Sequence, residues 1–434
     1  MKFSPPKTLI LFFLGLIAAG TALLSLPAAH IFSGFSFITN LFTSVSAVCV
    51  AGLSIVNIGE YYSTFGQIII LTLTQLGGLG YMFVSTVVTL TLGKMALKDR
   101  RIMQELFDLS SFKGLKHLLS KAIIFVLGIE FVGTVVLTLI FLKDFSFLKS
   151  IYLGVFYSIT AFCNAGFSVF NDSLAMFAGN PAILYAIAVL ILFGGLGFFV
   201  IVDIYDKYKE KRRHLSTHTK VVLFVTAIIT GLSFLLFLFS DALKGQGLFY
   251  LINNAFFQAI SARTAGFYTV SPSFFNEFTE IVLMIFMSIG GAPGSAAGGI
   301  KVTTVALICV FVKSVLTGDK DYVLFKRRIP SDLVKKALVI FIIFFALIAL
   351  SSLVLMLQEN YLRPITVVFE VISALATVGL SLDITPDLSL VGKIYVLIAM
   401  IAGRIGILTM LIVMVNPIAK KKKIKYPEGR VLVG

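Results

Sequence analysis

Four short stretches of the chain share one pattern, in which Ser or Thr followed by Ala begins a run of small residues that ends in glycine. The glycines lie at positions 52, 166, 266 and 379, and the runs cover 46–52, 160–166, 261–266 and 373–379. Where several such loops meet, backbone carbonyls can replace the hydration shell of a cation, and glycine tolerates the dihedral angles that this requires. The pattern therefore predicts a ring of four backbone loops that binds a cation such as K⁺.

The last three residues of each run are the candidate carbonyl donors to the ion. They are Val50, Ala51 and Gly52; Asn164, Ala165 and Gly166; Thr264, Ala265 and Gly266; and Thr377, Val378 and Gly379. A short helix before each run would point its carboxyl end at the centre of the ring, where the helix dipole favours a cation. The third run is one residue shorter than the others, so the predicted ring is only pseudo-fourfold.

The composition of the chain predicts the elements that must hold these loops. Of 434 residues, 58% are hydrophobic and 13% are charged, and the apolar stretches are long and continuous. These features predict an all-α polytopic membrane protein and argue against a β-barrel, whose strands alternate in hydrophobicity. The first apolar run resembles a secretory signal peptide, but we expect it to be a retained span, because the first repeat needs one.

The net charge of +15 follows topology. Besides Lys2 and Lys7, most Lys and Arg residues cluster at 94–121, 207–220, 313–336 and 420–430. The positive-inside rule makes these regions cytoplasmic, which predicts eight crossings of the plasma membrane with both termini inside. This pattern argues against nucleic-acid binding, and it leaves anionic lipid or an acidic partner surface as possible contacts of the basic segments.

Each repeat is predicted to consist of a span, a pore loop and a second span, with the four repeats in pseudo-fourfold arrangement around one central pore per chain. The predicted units are repeat 1 at 1–93 with its pore loop at 37–54, repeat 2 at 94–207 with its pore loop at 150–168, repeat 3 at 208–318 with its pore loop at 248–268, repeat 4 at 319–417 with its pore loop at 362–381, and a basic tail at 418–434.

A second glycine motif follows each loop at nearly constant spacing, at 77–80, 194–197, 290–294 and 403–406. The first two copies are explained by a close helix contact or a kink. The third copy opens a stretch with five glycines and a proline in ten residues, which a continuous helix tolerates poorly. It predicts a gating loop in the membrane, with a simple hinge as the alternative. A nucleotide-binding phosphate loop would need an adjacent Gly-Lys, which is missing.

The candidate gating residues combine this stretch with two basic side chains. They are Gly290, Gly291, Ala292, Pro293, Gly294, Ser295, Ala296, Ala297, Gly298, Gly299, Lys301 and Arg404. Arg404 replaces the second glycine of the fourth motif, and we expect it to face the cavity from the side opposite the loop. A guanidinium near the ion path raises the barrier for cations and can anchor loop carbonyls.

Three further charges lie within apolar sequence and are expected to be paired structurally. Arg263 is expected to pair with a carboxylate or with loop carbonyls, and Glu370 and Glu130 are the candidate carboxylates. The three cysteines have no metal-binding spacing, and the four histidines lie outside the loops. The sequence therefore does not predict an enzyme, which would need such groups clustered at one face.

The four loops, together with the sequences at 263–267, 291–301 and 403–406, resemble the Trk/Ktr/HKT superfamily of potassium transporters along essentially the whole chain. Since the first repeat begins close to Met1, the Ktr branch is the more similar one. The resemblance implies potassium uptake with the gating and barrier roles given above. It also implies a homodimer, a cytoplasmic KtrA-type regulatory ring that binds ATP or ADP, potassium uptake promoted by sodium as an activator or a coupled ion, and no cofactor on this chain.

A second interpretation is a transporter with alternating access, coupled to Na⁺ or H⁺. It predicts inverted repeats and charged coupling residues at the membrane midplane. The four repeats predicted here share one orientation, and their loops carry no carboxylate ring. The sequence therefore favours the pore.

Overall fold

The computed structural model describes residues 5–32, 36–92, 112–209, 214–243, 247–319 and 321–406. The helices in these ranges are α1 (Pro5–Leu24), α2 (Phe37–Cys49), α3 (Ile58–Tyr61), α4 (Thr64–Leu92), α5 (Phe112–Phe141), α6 (Phe147–Phe162), α7 (Pro181–Leu196), α8 (Phe198–Lys209), α9 (Thr217–Phe237), α10 (Leu248–Ser261), α11 (Glu277–Ser288), α12 (Val302–Thr317), α13 (Ser331–Gln358), α14 (Pro364–Ala376) and α15 (Leu390–Ile405). The predicted tail at 418–434 and most of the basic segment at 94–121 lie outside the described residues.

One small element departs from the predicted all-helical fold. Strands β1 (Tyr322–Leu324) and β2 (Arg327–Ile329) form an antiparallel hairpin between α12 and α13, with Tyr322 opposite Ile329. Its turn residues Phe325 and Lys326 both have positive φ angles. Because Gly, Asn and Asp are the usual residues at such positions, the turn carries no sequence signal. Single 3-10 turns lie at Pro27–Ala29, Ala175–Phe177, Asp241–Leu243 and Pro272–Phe274.

The helices recur in one order along the chain: a long helix, a shorter buried helix, and a further helix that is interrupted or followed by a break. The shorter helices α2, α6, α10 and α14 each pack against the long helix before them, α1, α5, α9 and α13. The short helices are buried even where they are polar, as at Asn40, Thr43 and Ser44 of α2. At membrane depth, such a helix and the irregular backbone after it need protein around them.

Three helical stretches in the described ranges are long and apolar enough to cross a bilayer alone: Lys121–Phe141, Thr217–Phe237 and Ser331–Gln358. The pair α7 and α8 would form a fourth span, bent by 93° between the two helices. Large apolar side chains point outward from these stretches, such as Phe131 at 70% exposure. The chain is thus a polytopic helical membrane protein, and its eight predicted crossings stay a prediction.

The second glycine motif coincides with a kink within a helix, a bend between two helices, an irregular segment between two helices, or the end of a helix. Gly80 has φ 42° inside α4, Gly197 has φ 83° between α7 and α8, Gly294 has φ 72° in the segment between α11 and α12, and Gly406 has φ 88° after α15. These left-handed angles are readily adopted only by glycine, which explains why each motif ends in this residue. The kink expected for the first two copies is therefore present in both.

The first glycine of three of these motifs explains how the interrupted helices approach the short ones. A β-carbon built on Gly77, Gly194 or Gly403 would lie less than 3.0 Å from a carbonyl oxygen of the preceding short helix, at Val48, Phe162 and Leu375 respectively. In these three repeats the residue that supplies this carbonyl lies four positions before the glycine that ends the first motif, at 52, 166 and 379. Glycine is needed here because any side chain would separate the two backbones.

We expect Gly403→Ala to lower the thermal unfolding midpoint of the purified protein by several degrees. The new methyl group would overlap the Leu375 carbonyl, and overpacking of this kind costs about 1–3 kcal/mol. Gly128→Ala in α5 is the matched control, because nothing lies within 4 Å of a β-carbon there and alanine has the higher helix propensity. Equal midpoints for the two variants would contradict the proposed backbone contact.

Candidate functional site: a ring of four backbone loops and a glycine-rich segment

The structure brings the four predicted loops together in a closed ring. A β-carbon built on each ring glycine would lie less than 3.0 Å from a carbonyl oxygen of the next loop: Gly52 from Ala165, Gly166 from Ala265, Gly266 from Val378, and Gly379 from Ala51. The contacts run through repeats 1, 2, 3 and 4 in order and return to the first. All twelve predicted donors thus lie in one ring, and repeats 2 and 4 lie on opposite sides of it.

The backbone of each ring loop alternates in handedness. The ring glycines have φ angles from 67° to 98°, and the residues two positions before them, Val50, Asn164, Thr264 and Thr377, have φ angles from 49° to 68°. The middle residue of each loop is not among the residues with positive φ. In a strand of uniform φ sign, successive carbonyls point to opposite sides. Alternation of the sign allows successive carbonyls to point the same way, as a row of cation ligands requires.

Three of the left-handed residues are β-branched, which makes their conformation unusual. In loops 1, 2 and 4 the backbone is held by a Schellman motif. The amide nitrogens of Ala51, Ala165 and Val378 donate to the carbonyls of Ser46, Thr160 and Ser373 at 2.8, 2.8 and 2.9 Å, five residues earlier. These hydrogen bonds fix the backbone at the carboxyl end of each short helix, so the strain is held by local structure.

The third loop reaches the same geometry with one residue fewer. Ala265 donates to the Ser261 carbonyl at 2.9 Å, only four residues earlier, and Gly266 donates to the same oxygen at 3.3 Å. Ser261 therefore occupies the place of Ser46, Thr160 and Ser373. The sequence shows a Ser or Thr at the start of each run. In the structure, the backbone carbonyl of this residue accepts the hydrogen bond that anchors the loop.

The two hydroxyls among the twelve predicted donor residues have no hydrogen-bond partner within the described part of the chain. They belong to Thr264 and Thr377, which are 0% and 1% exposed. A buried hydroxyl without a partner is costly. Together with the carboxyl ends of four short helices, these oxygens make the ring a favourable place for a cation and an unfavourable one for an anion.

The glycine-rich segment, residues 290–301, is irregular and buried against the second repeat. Ala292 and Ala296 donate to the carbonyls of Gly195 and Gly194 at 2.9 and 3.2 Å, and Phe198 donates to the Gly294 carbonyl at 3.1 Å. These three bonds join the segment to the 93° bend between α7 and α8. The bend exposes the backbone groups that hold the segment in place.

The same segment lies directly against the fourth ring loop. A β-carbon on Gly298 would lie less than 3.0 Å from Thr377 Oγ1 and from the Ala376 carbonyl oxygen. The ends of the segment are tied to each other, since Gly290 donates to Ile300 at 2.9 Å and Val302 to Gly291 at 3.1 Å. Lys301 donates to the Ala297 carbonyl at 2.6 Å. The predicted gating residues therefore form one connected loop beside the ring.

Arg404 lies closer to this loop than expected. The sequence predicts that it faces the cavity from the opposite side, whereas the structure joins the two directly. Its Nη1 donates to the Ala296 carbonyl at 2.5 Å, and its Nη2 donates to the carbonyls of Gly77 and Gly78. The guanidinium thus bridges the glycine-rich segment and the kinked helix of the first repeat, which its fork of donors permits.

The other three predicted charges do not pair with one another. Arg263 donates to Thr230 Oγ1 at 3.1 Å and to the Gly290 carbonyl at 3.2 Å, so the loop-carbonyl alternative is the observed one. Glu370 accepts from Ser381 and Thr385, and Glu130 accepts from Gln75 at 2.9 Å. Within the described ranges no ion pair joins Arg263 to either glutamate, and Arg263 instead holds one end of the glycine-rich segment.

Conventional metal ligands do not cluster in the described part of the chain. No group of three or more His, Cys, Asp or Glu residues there could hold a metal ion. Cys49 and Cys163 are buried as free thiols next to the ring loops. The backbone oxygens of the four loops remain the candidate cation ligands among the residues described.

Known proteins resemble the chain along its full length. A family model described as TrkH, cation transport protein, matches residues 12–424. The Ktr system potassium uptake protein B of Vibrio alginolyticus is 35% identical over 439 residues, covering 100% of this chain and 96% of that protein. The potassium/sodium uptake protein NtpJ of Enterococcus hirae is 34% identical, with coverage of 100% and 98%.

A solved structure supports the same fold. The crystal structure of the potassium transporter TrkH from Vibrio parahaemolyticus aligns with a TM-score of 0.72 over 95% of this chain and 85% of that one, at 19% sequence identity. At this identity the similarity concerns the arrangement of helices.

Proposed function

This chain belongs to the TrkH/Ktr family of cation transport proteins, and from that premise we propose that it takes up potassium across the plasma membrane through the ring of four loops. The inside-negative membrane potential drives the ion. The ligands are the carbonyls of the three residues predicted in each loop, and K⁺ is the cargo.

Closure of the ring is the observation that supports this proposal most strongly. Each ring glycine touches the next loop, and each loop alternates in φ. A transporter with alternating access needs charged coupling residues around its substrate site. The four runs carry one charged residue, Arg263, and its guanidinium donates to the Gly290 carbonyl.

We further propose that the glycine-rich segment is the gate and that Arg404 holds it closed. The segment lies against Thr377 of the ring and is tied to Arg404 through Ala296. Its displacement would move little side-chain volume, because most of its residues are glycine or alanine. A segment with these properties can clear the path without disturbing the helices on either side.

Regulation is assigned to partners. We propose a homodimer, control of the gate by a cytoplasmic KtrA-type ring carrying ATP or ADP, and anionic lipid or that ring as the contact of the basic segments. Both termini are then cytoplasmic. The names of two relatives support potassium and sodium as the ions concerned. One is a potassium uptake protein, and the other is a potassium/sodium uptake protein.

The proposal is tested by ⁸⁶Rb⁺ uptake into potassium-loaded proteoliposomes. We expect uptake above that of empty vesicles, with external K⁺ as a strong competitor and Na⁺ as a weak one. Uptake that appears only after residues 292–298 are deleted would indicate a closed gate and leave the pore in place. No uptake in either protein would contradict the proposed function.

A further inference from the structure

The position three residues before each loop-anchoring Ser or Thr is polar and fully buried in all four repeats. Thr43, Tyr157, Gln258 and Glu370 occupy it and are at most 1% exposed. Burial of a polar side chain is unfavourable unless it is hydrogen-bonded. Four such residues at one register behind the ring therefore call for a specific role.

In the fourth repeat, Glu370 holds the chain that leaves the ring. Ser381 lies two residues after Gly379 and donates to Glu370 Oε2 at 2.8 Å. Thr385 donates to Glu370 Oε1 at 2.5 Å, and the two hydroxyls lie 3.0 Å apart. Both carboxylate oxygens thus join the irregular segment that follows Gly379 to the short helix α14.

The second repeat makes the same connection with a different residue. Ser168 lies two residues after Gly166, and its Oγ is 2.7 Å from the Tyr157 hydroxyl. Ser168 also donates to the Ser173 carbonyl at 3.1 Å. The segment that follows Gly166 is therefore hydrogen-bonded to α6 at the position equivalent to that in the fourth repeat.

The other two repeats lack this connection. Ser54, the equivalent residue of the first repeat, donates to the Val56 carbonyl of its own turn at 2.6 Å, while Thr43 accepts from Tyr62. In the third repeat, the side-chain nitrogen and oxygen of Gln258 have no hydrogen-bond partner among the described residues, and the equivalent residue is Tyr268. Repeats with this hydrogen bond, the second and the fourth, alternate around the ring with repeats that lack it, the first and the third.

We propose that Glu370 and Tyr157 are positioning residues that determine ion selectivity by fixing the ring from two opposite sides. Each acts through the serine two residues beyond a ring glycine, so it sets where that loop's carbonyls stand. Two fixed loops define the width of the ring along one diagonal, while the other two can adjust. The inference rests on the proposed filter and adds the residues that set its dimensions.

The test compares one substitution at equivalent positions. Ser381→Ala removes a hydroxyl that is hydrogen-bonded to the short helix, whereas Ser54→Ala removes one that is bonded only within its own turn. We expect K⁺ selectivity over Na⁺, measured by competition of each ion with ⁸⁶Rb⁺ uptake, to fall about tenfold in Ser381→Ala, because a hydrogen bond to a charged acceptor is lost. Ser54→Ala should keep the wild-type ratio, and Ser381→Thr should restore most of it.

Two further variants separate positioning from general stability. Tyr157→Phe should lower the ratio about fivefold, since its bond is to a neutral acceptor. Adding Glu370→Gln to Ser381→Ala should lower the selectivity ratio little further, because both substitutions act on the same hydrogen bond between Ser381 and Glu370. The amount of protein and its unfolding midpoint, measured on each variant, should stay near wild type while the selectivity ratio changes.

The outcomes distinguish this inference from the function on which it rests. A wild-type protein that takes up ⁸⁶Rb⁺ without preferring K⁺ would overturn the proposed filter. A selective wild type whose ratio is the same in Ser381→Ala, Tyr157→Phe and Ser54→Ala would overturn the positioning role alone.

Discussion

Replacement of Gly379 by serine should abolish selective potassium uptake. Gly379 has φ 98°, and a β-carbon there would lie 2.6 Å from the Ala51 carbonyl oxygen and 3.1 Å from the Gly52 α-carbon. The side chain would therefore strain its own backbone and displace the first ring loop. We expect initial ⁸⁶Rb⁺ uptake to fall more than tenfold, or any residual uptake to be inhibited equally by K⁺ and Na⁺.

Gly247→Ser is the matched control for this experiment. Gly247 has a similar φ of 94°, but nothing lies within 4 Å of a β-carbon there. The control carries the same backbone strain without a clash in the ring, and serine is a favourable residue at the start of the helix that follows. If both variants transport like wild type, the ring is not the filter.

Loss of the Arg404 guanidinium is expected to increase transport strongly. Its hydrogen bonds hold Ala296 of the glycine-rich segment to Gly77 and Gly78 of the first repeat. Hydrogen bonds to a charged group contribute about 1.5–3 kcal/mol each, and a shift of about 1.4 kcal/mol changes a two-state ratio tenfold. In Arg404→Gln we therefore expect initial uptake to rise about tenfold and to depend less on the regulatory partner.

Arg404→Lys separates two explanations for this gain. Lysine keeps the positive charge but cannot bridge both sets of carbonyls with a planar fork. If the charge is the barrier, Arg404→Lys should transport like wild type; if the bridge is the barrier, it should transport like Arg404→Gln. Deletion of residues 292–298 removes the loop itself and should give the highest rate. Initial rates that equal wild type in all three variants would exclude the gate.

The sequence predicted which residues form the ring, because the need for glycine is local. The short helices end within the runs, and Gly52, Gly166, Gly266 and Gly379 have the positive φ angles that the lack of a side chain permits. The left-handed angles of Val50, Thr264 and Thr377 could not be predicted, since β-branched residues disfavour them. Hydrogen bonds at the carboxyl ends of the short helices and the packing of the four loops against each other hold these residues in place.

The other features that could not be predicted from the sequence depend on contacts between distant parts of the chain. Arg404 bonds to Gly77, which is 327 residues away, and no local pattern encodes that choice. The carboxylate partners suggested for Arg263 were wrong for the same reason, whereas the alternative of a loop carbonyl is observed at Gly290. The sequence does not show that Ser381, Thr385 and Gln75 lie nearer to Glu370 and Glu130. The shorter third loop was visible as a gap, and only the structure shows how Ser261 compensates for it.

The ring is closed by four segments of a single polypeptide, and this has a consequence for how such a molecule can evolve. In an assembly of identical subunits every substitution enters four times, so each change must suit all four positions at once. Here each quarter carries its own sequence, and in the mechanism proposed above the third supplies the gate, the fourth supplies Arg404, and the second and fourth position the ring. One quarter can therefore specialise while the other three keep the path for the ion intact.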